Sequence, residues 1–210
     1  MSQRDGAASV NRPRESGGLA SLRMGRPPRD QPAPGYVHVT SRGVRRLPIF
    51  VDDHDRRAFM AFLAQSSYRR DWVCLAYCLM TNHYHLVLLL REPTLSRGMH
   101  RLNGVFARRF NARHGHVGHL FEARFTAARI ESETHVLGAL RYVVRNPVRA
   151  GICSDPAAWP WSSFRATAGL EPCPRFLAAP RVRSMFGRGA RGAERYAAFV
   201  RGDVPAVASV

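Results

Sequence analysis

Trp72-Val-Cys-Leu-Ala-Tyr-Cys-Leu-Met80 runs through Thr81-Asn82 into His83-Tyr-His-Leu-Val-Leu-Leu-Leu90. Two short apolar runs flank a tight-turn signal, which is the pattern of a β-hairpin. Side chains at i and i+2 of a strand share a face. His83 and His85 therefore stand side by side on the second strand, at a spacing suited to one divalent metal. Most such pairs are incidental. This one precedes Leu86 to Leu90, and two imidazoles in so apolar a strand need a polar reason to be there.

The flanking segments complete an architecture. Tyr36 to Arg42 has the pattern of a strand. Asp52 or Asp53 can cap a helix reaching about Arg70, with Phe59, Phe62 and Leu63 apolar. Thr94 is placed to cap a helix from Leu95 to about Arg113, and a glycine-containing loop follows through Gly115 and Gly118. Phe125 to Ile130 is a further strand. Ser132 caps a third helix that ends near Asn146, because Pro147 disfavours its continuation. Strand, helix, hairpin, helix, strand, helix implies an antiparallel α+β sandwich with helices on one face of the sheet.

On the third helix Val136, Leu137, Leu140, Val143 and Val144 fall on one side. Tyr142 and Asn146 fall opposite, one turn apart. A helical tyrosine ordinarily packs in a core, but this helix has a full apolar face without it. Tyr142 is presented outward, with Asn146 beyond it as a potential ligand. On the helix from Leu95, the residues Leu95, Met99, Leu102, Phe106 and Phe110 form the buried stripe. Arg97, Arg101 and Arg108 gather on its far side, as a phosphate-tracking ridge or as a merely solvated face.

The 210 residues carry a net charge of +17, and all 32 basic residues are arginine. That balance points to a polyanion, and arginine grips phosphate with paired hydrogen bonds. Residues 1–34 are rich in Arg, Gly, Pro and Ser and have the composition of a disordered basic tail. Residues 35–170 hold 19 arginines against nine acids, so the folded part is itself basic. Residues 171–210 form a helical appendage, its helix from about Ala190 to Arg201 anchored by Tyr196, Phe199 and Val200. Cys74, Cys78, Cys153 and Cys173 contain no C-x-x-C pair, which argues against a zinc ribbon. Cys74 and Cys78, four apart in one strand, would lie roughly 13 Å from each other, too far for a disulfide. Without a secretion signal or an 18-residue apolar run, the expected location is cytoplasmic and nucleoid-associated.

Five stretches, in this order, resemble the REP-associated tyrosine transposases, relatives of the small insertion-sequence transposases of the HUH class. They are Tyr36-Val-His-Val-Thr-Ser-Arg-Gly43, Met80-Thr-Asn-His-Tyr-His-Leu86, Gly118-His-Leu-Phe-Glu-Ala-Arg-Phe125, Tyr142-Val-Val-Arg-Asn-Pro-Val-Arg-Ala-Gly151 and Trp159-Pro-Trp-Ser-Ser163. The likeness spans about residues 35–170. The family usually has proline where Thr81 stands, a departure confined to a turn.

The resemblance implies a ferredoxin-like antiparallel sheet, the HUH endonuclease fold. It makes His83 and His85 the paired metal ligands, Asn146 the third, and Tyr142 the nucleophile. Arg42, Arg124 and Arg149 match basic positions of the family motifs and would contact DNA. It further implies Mg²⁺ or Mn²⁺ as cofactor and single-stranded or hairpin DNA as partner. Cleavage and rejoining would pass through a 5′-phosphotyrosine. Family members occur as monomers and as homodimers, and the sequence does not choose between them. Trp159 and Trp161 fit base stacking or, more in keeping with their setting, packing. Three rivals remain: a domesticated, non-catalytic sequence-specific nucleic-acid-binding protein; a replication initiator or relaxase; and a phosphodiesterase that activates water.

Overall fold

The computed structural model describes residues 34–202, so the basic tail expected over 1–34 lies, but for Pro34, outside the described residues. The chain runs β1 (Gly35–Arg42), α1 (Asp53–Arg70), β2 (Trp72–Leu79), β3 (His83–Leu90), α2 (Leu95–His114), β4 (Thr126–Ile130) and α3 (Glu133–Val144). Four shorter or terminal helices follow: α4 (Asn146–Arg149), α5 (Phe164–Thr167), α6 (Ala179–Ser184) and α7 (Gly189–Arg201). The strands form one antiparallel sheet in the order β2-β3-β1-β4. That is the ferredoxin-like α+β arrangement, with the expected hairpin closed by Thr81-Asn82.

Strand alternation divides the side chains between two cores. Val37 and Val39 of β1, with Tyr84, Leu86, Leu88 and Leu90 of β3, face α1 and α2. The α2 stripe Leu95, Met99, Leu102, Phe106 and Phe110 is buried there as the sequence indicates. Each such side chain, fully buried, contributes about 1.5–3 kcal/mol. The expectation of helices on one face holds for α1 and α2 but is incomplete. Val87 of β3 and Leu75, Ala76 and Cys78 of β2 face the other way, into a second core with Val136, Leu140 and Val143 of α3 and Tyr196, Phe199 and Val200 of α7. With both faces covered, β3 can run apolar from Leu86 to Leu90 without polar alternation.

A register shift between Cys74 and Ala76 bulges β2. It puts Cys74 in the first core and Cys78 in the second, so the two thiols lie on opposite faces rather than on one. All four cysteines are free, Cys173 being exposed. The Trp159–Ser163 stretch seals the outer edge of β2. Leu79 N–H donates to Trp161 O, Ser163 N–H to Tyr77 O, and Tyr77 N–H to Ser163 Oγ. Trp159 Nε1 donates to Leu79 O at 3.1 Å, and both tryptophans lie half-buried under the Arg56 guanidinium, which accounts for them as packing residues.

The helix ends are held by specific contacts. Asp52 caps α1 by accepting from Asp55 N–H, and Ser132 caps α3 by accepting from His135 N–H. Thr94 occupies the cap position of α2, but its hydroxyl does not cap. It accepts from Trp72 Nε1 at 3.0 Å and donates to Arg70 O, so tertiary packing outcompetes the local bond. Gly98 lets α2 approach that indole, since a methyl group there would collide with the Trp72 ring. Among the described residues no helix is long and apolar enough to cross a membrane.

Candidate active site

The side of the sheet that faces α3 carries the imidazoles. Residues 36, 38, 40 and 42 of β1 share this side with residues 83, 85, 87 and 89 of β3, and the register sets Thr40 opposite His85 and Arg42 opposite His83. The ring centroids of His83 and His85 are 5.0 Å apart. Behind them Tyr84 points into the first core, where its hydroxyl donates to Asn103 Oδ1 at 2.6 Å. Asn103 Nδ2 in turn reaches Ser41 Oγ. These bonds tie β3 to α2 and β1, so the histidine-bearing strand is fixed from the rear.

Tyr142, carried by α3, comes over this surface. Its ring lies 5.7 Å from His85 and 5.8 Å from His38, edge-on to both. It remains 39% exposed, enough for a ligand to reach the phenol. The Arg149 guanidinium stands over the same ring at 5.1 Å. His38 was missed by sequence reasoning. It stacks on His85 at 5.2 Å, and its Nε2 lies 3.0 Å from His85 Nδ1. No local pattern signals it, because its partner is 47 residues away and only the β1–β3 pairing joins them.

Both imidazoles of the pair are held neutral. Burial pushes His83 down to about 4, helped by Arg42. Burial, with His83, His38 and Arg42, pushes His85 down to about 3. The His83 tautomer is also set. Asn82 Nδ2 donates to Arg46 O at 2.9 Å, which turns Asn82 Oδ1 toward His83 Nδ1 at 2.7 Å. The ring proton then sits on Nδ1 and the Nε2 lone pair is free, the state a metal ligand needs.

Asn146 differs from its expected placement. α3 ends at Val144, and Pro147 occupies the first turn of the separate short helix α4. Asn146 is buried rather than outward-facing. Its Nδ2 donates to Tyr142 O at 2.9 Å and to Val143 O at 3.3 Å, closing α3 directly behind the tyrosine. This leaves its amide oxygen uncommitted to the helix.

A pocket of about 190 Å³ opens beside the histidines, lined by Thr40, Ser41, Arg42, Glu122, Arg124 and Thr126. Of the six arginines singled out from the sequence, Arg42 and Arg124 line this pocket and Arg149 covers Tyr142. Arg97 lines a neighbouring hollow, while Arg101 and Arg108 are exposed on α2 and line neither. Among the described residues no three His, Cys, Asp or Glu side chains group to hold a metal. A cation on His83 and His85 would therefore draw its further ligands from an amide, water or phosphate. Two neutral, oriented imidazoles beside a small, cation-rimmed pocket fit that requirement.

A solved structure agrees with this fold. A solved REP-associated tyrosine transposase bound to a REP hairpin superposes with a TM-score of 0.57 at 19% identity, covering 71% of this chain and 89% of that one. At that identity the likeness speaks for the fold. A provisionally named transposase from Deinococcus radiodurans R1 aligns at 18% identity with a TM-score of 0.41, covering 56% of this chain and 95% of that one. No curated protein sequence matches. Residues 34–146 match the sequence family described as transposase, IS200-like, and these residues include the whole sheet, the histidine pair and Tyr142. The chain belongs to the IS200-like transposase family.

Proposed function

We propose that this transposase cleaves and rejoins single-stranded DNA through a covalent link to Tyr142, as a REP-associated member of the family. The observation that supports this most strongly is the edge-on approach of the Tyr142 ring to His85 and His38, with the hydroxyl-bearing ring open to solvent. The solved relative bound to a REP hairpin supports hairpin DNA as the substrate class.

In this reading Tyr142 Oη attacks the scissile phosphorus in line. The P–O3′ bond breaks, a 5′-phosphotyrosine forms, the phenolic proton is given up and the departing 3′ oxygen leaves as a hydroxyl. Attack by a second 3′-OH reverses the step and joins new ends without water or ATP. His83 and His85 would hold a divalent ion through their Nε2 atoms, with the Asn146 amide oxygen as third ligand. Mg²⁺ or Mn²⁺ bound there would polarise the scissile phosphate and offset charge on the leaving oxygen. A protonated phenol is a weak nucleophile at neutral pH. Arg149, whose guanidinium stands over the Tyr142 ring, places positive charge beside the attacking side chain. Arg42 and Arg124 would neutralise the phosphates on either side, and Arg97, Arg101 and Arg108 would bind backbone further along α2.

Incubation with single-stranded hairpin DNA flanking its own gene, with Mg²⁺ or Mn²⁺, tests this on a denaturing gel. The wild type should give a protein–DNA conjugate that Tyr142→Phe lacks while still binding. Free 5′-phosphate ends that persist in Tyr142→Phe would favour a water-activating phosphodiesterase. Binding with no cleavage by either protein would favour a non-catalytic binder.

A further inference from the structure

We infer that the hollow between α2 and the 118–125 segment is a nucleobase pocket, seating a base of the single strand next to the phosphate held at the histidines. This rests on the reading of the neighbouring pocket as the site of strand cleavage. The hollow measures about 800 Å³, within the roughly 300–1,000 Å³ range of small-ligand clefts. It shares Glu122, Ala123 and Arg124 with the histidine pocket, so the two lie against a common wall. A strand rounding that wall passes from one into the other.

The lining suits a base attached to a charged backbone. Phe121, half-buried, supplies an aromatic surface, and base-on-aromatic stacking tolerates any sequence. Arg97, His100 and Arg124 are exposed and add positive charge at the rim, which suits a phosphate chain and opposes entry of another basic segment. The hydroxyl of Ser96, also in the lining, is buried without a hydrogen-bond partner.

Gly104 is the second observation. It lies near the middle of the 20-residue helix α2, where glycine weakens a helix. Its φ is not positive, and a methyl group added to it would meet only the Arg108 guanidinium, at 3.6 Å. Neither backbone nor packing requires glycine there. With Ala107 on the next turn, it keeps the α2 wall of the hollow open.

The test is fluorescence anisotropy with dT20 and with an abasic strand of the same length and charge. The wild type should bind dT20 at least roughly tenfold more tightly than the abasic strand, as stacking of even one base allows. Gly104→Leu should bring that ratio close to one and leave abasic affinity unchanged. Gly104→Ala, too small to fill the hollow, should retain it. Ala107→Leu is a second plug should Gly104→Leu fail to fold. No preference for bases in the wild type, or a preference that survives both plugs, would overturn the inference. Its failure is separable from that of the cleavage reading. A conjugate-forming protein without base preference defeats the pocket alone, whereas a base-preferring protein that forms no conjugate defeats the cleavage reading alone.

Discussion

His38 Nε2 on β1 faces His85 Nδ1 on β3 at 3.0 Å, so one proton serves both nitrogens. If His85 offers Nε2 to a cation, its Nδ1 must carry that proton and donate it to His38. His38 then sets the tautomer of His85 as Asn82 sets that of His83. Loss of such an orienting partner typically weakens metal binding about 10- to 100-fold. His38→Ala should show that loss for Mn²⁺ by titration calorimetry, while Asn82→Ala, acting on the other imidazole, should weaken binding in the same direction. Unchanged Mn²⁺ affinity in His38→Ala would reduce His38 to a packing residue.

Much of this site was legible in local pattern, and most of what was not is long-range. His83 and His85 on one strand face, and the outward Tyr142 opposite Val136, Leu140 and Val143, follow from side-chain periodicity alone. His38 required knowing which strand pairs with β1. Cover on both faces was implicit in the unbroken apolar run Leu86 to Leu90, which a sheet open on one side would not carry. The failed cap at Thr94 belongs with these, its hydroxyl being taken by the Trp72 indole 22 residues away. Asn146 differs, because its amide turns inward onto local partners, the Tyr142 and Val143 carbonyls of the helix it follows.

Acid should loosen the contact between the start of α1 and the end of α2. Arg113 bonds both Asp52 and Asp55, and His114 Nε2 lies 3.0 Å from Asp55. The Arg113 hydrogen bond holds Asp52 well below the usual carboxylate range. Burial pushes Asp55 up, but bonds from Val51 N–H, His114 and Arg113 outweigh it, and the net shift is downward. Groups lowered on folding stabilise the fold above the unfolded value of 3.8 and lose that contribution as pH falls through their folded values. Chemical denaturation should therefore show stability falling below pH 4. Asp55→Asn should be less stable by about 1.5–3 kcal/mol at pH 7, with a smaller further loss on acidification. Equal acid sensitivity in both proteins would remove Asp55 from the account.

Two helical glycines should respond oppositely to alanine. Gly98→Ala drives a methyl group into the Trp72 ring and should destabilise by about 1–3 kcal/mol despite better helix propensity. Gly138→Ala on α3, with nothing within 4 Å of the added carbon, should stabilise by about 0.5–1 kcal/mol. Thermal melts check both signs.

Arg145 joins the tyrosine-bearing helix to the C-terminal one. Its guanidinium donates to Val200 O at 2.8 Å and Arg201 O at 2.7 Å, three residues beyond Tyr142. Arg145→Ala frees the end of α7 from α3. It should lower the melting temperature and slow conjugate formation at least severalfold, with single-strand affinity nearly unchanged. A parallel loss of affinity would mark Arg145 as a DNA contact instead.

Peptide mapping of the covalent conjugate tests the central claim most directly. After the DNA is trimmed by nuclease, trypsin cuts following Arg141 and Arg145 and releases Tyr142-Val-Val-Arg145. The account predicts that this tetrapeptide carries the nucleotide mass on its tyrosine. The same mass on another residue, or cleaved DNA with every tyrosine unmodified, would contradict it.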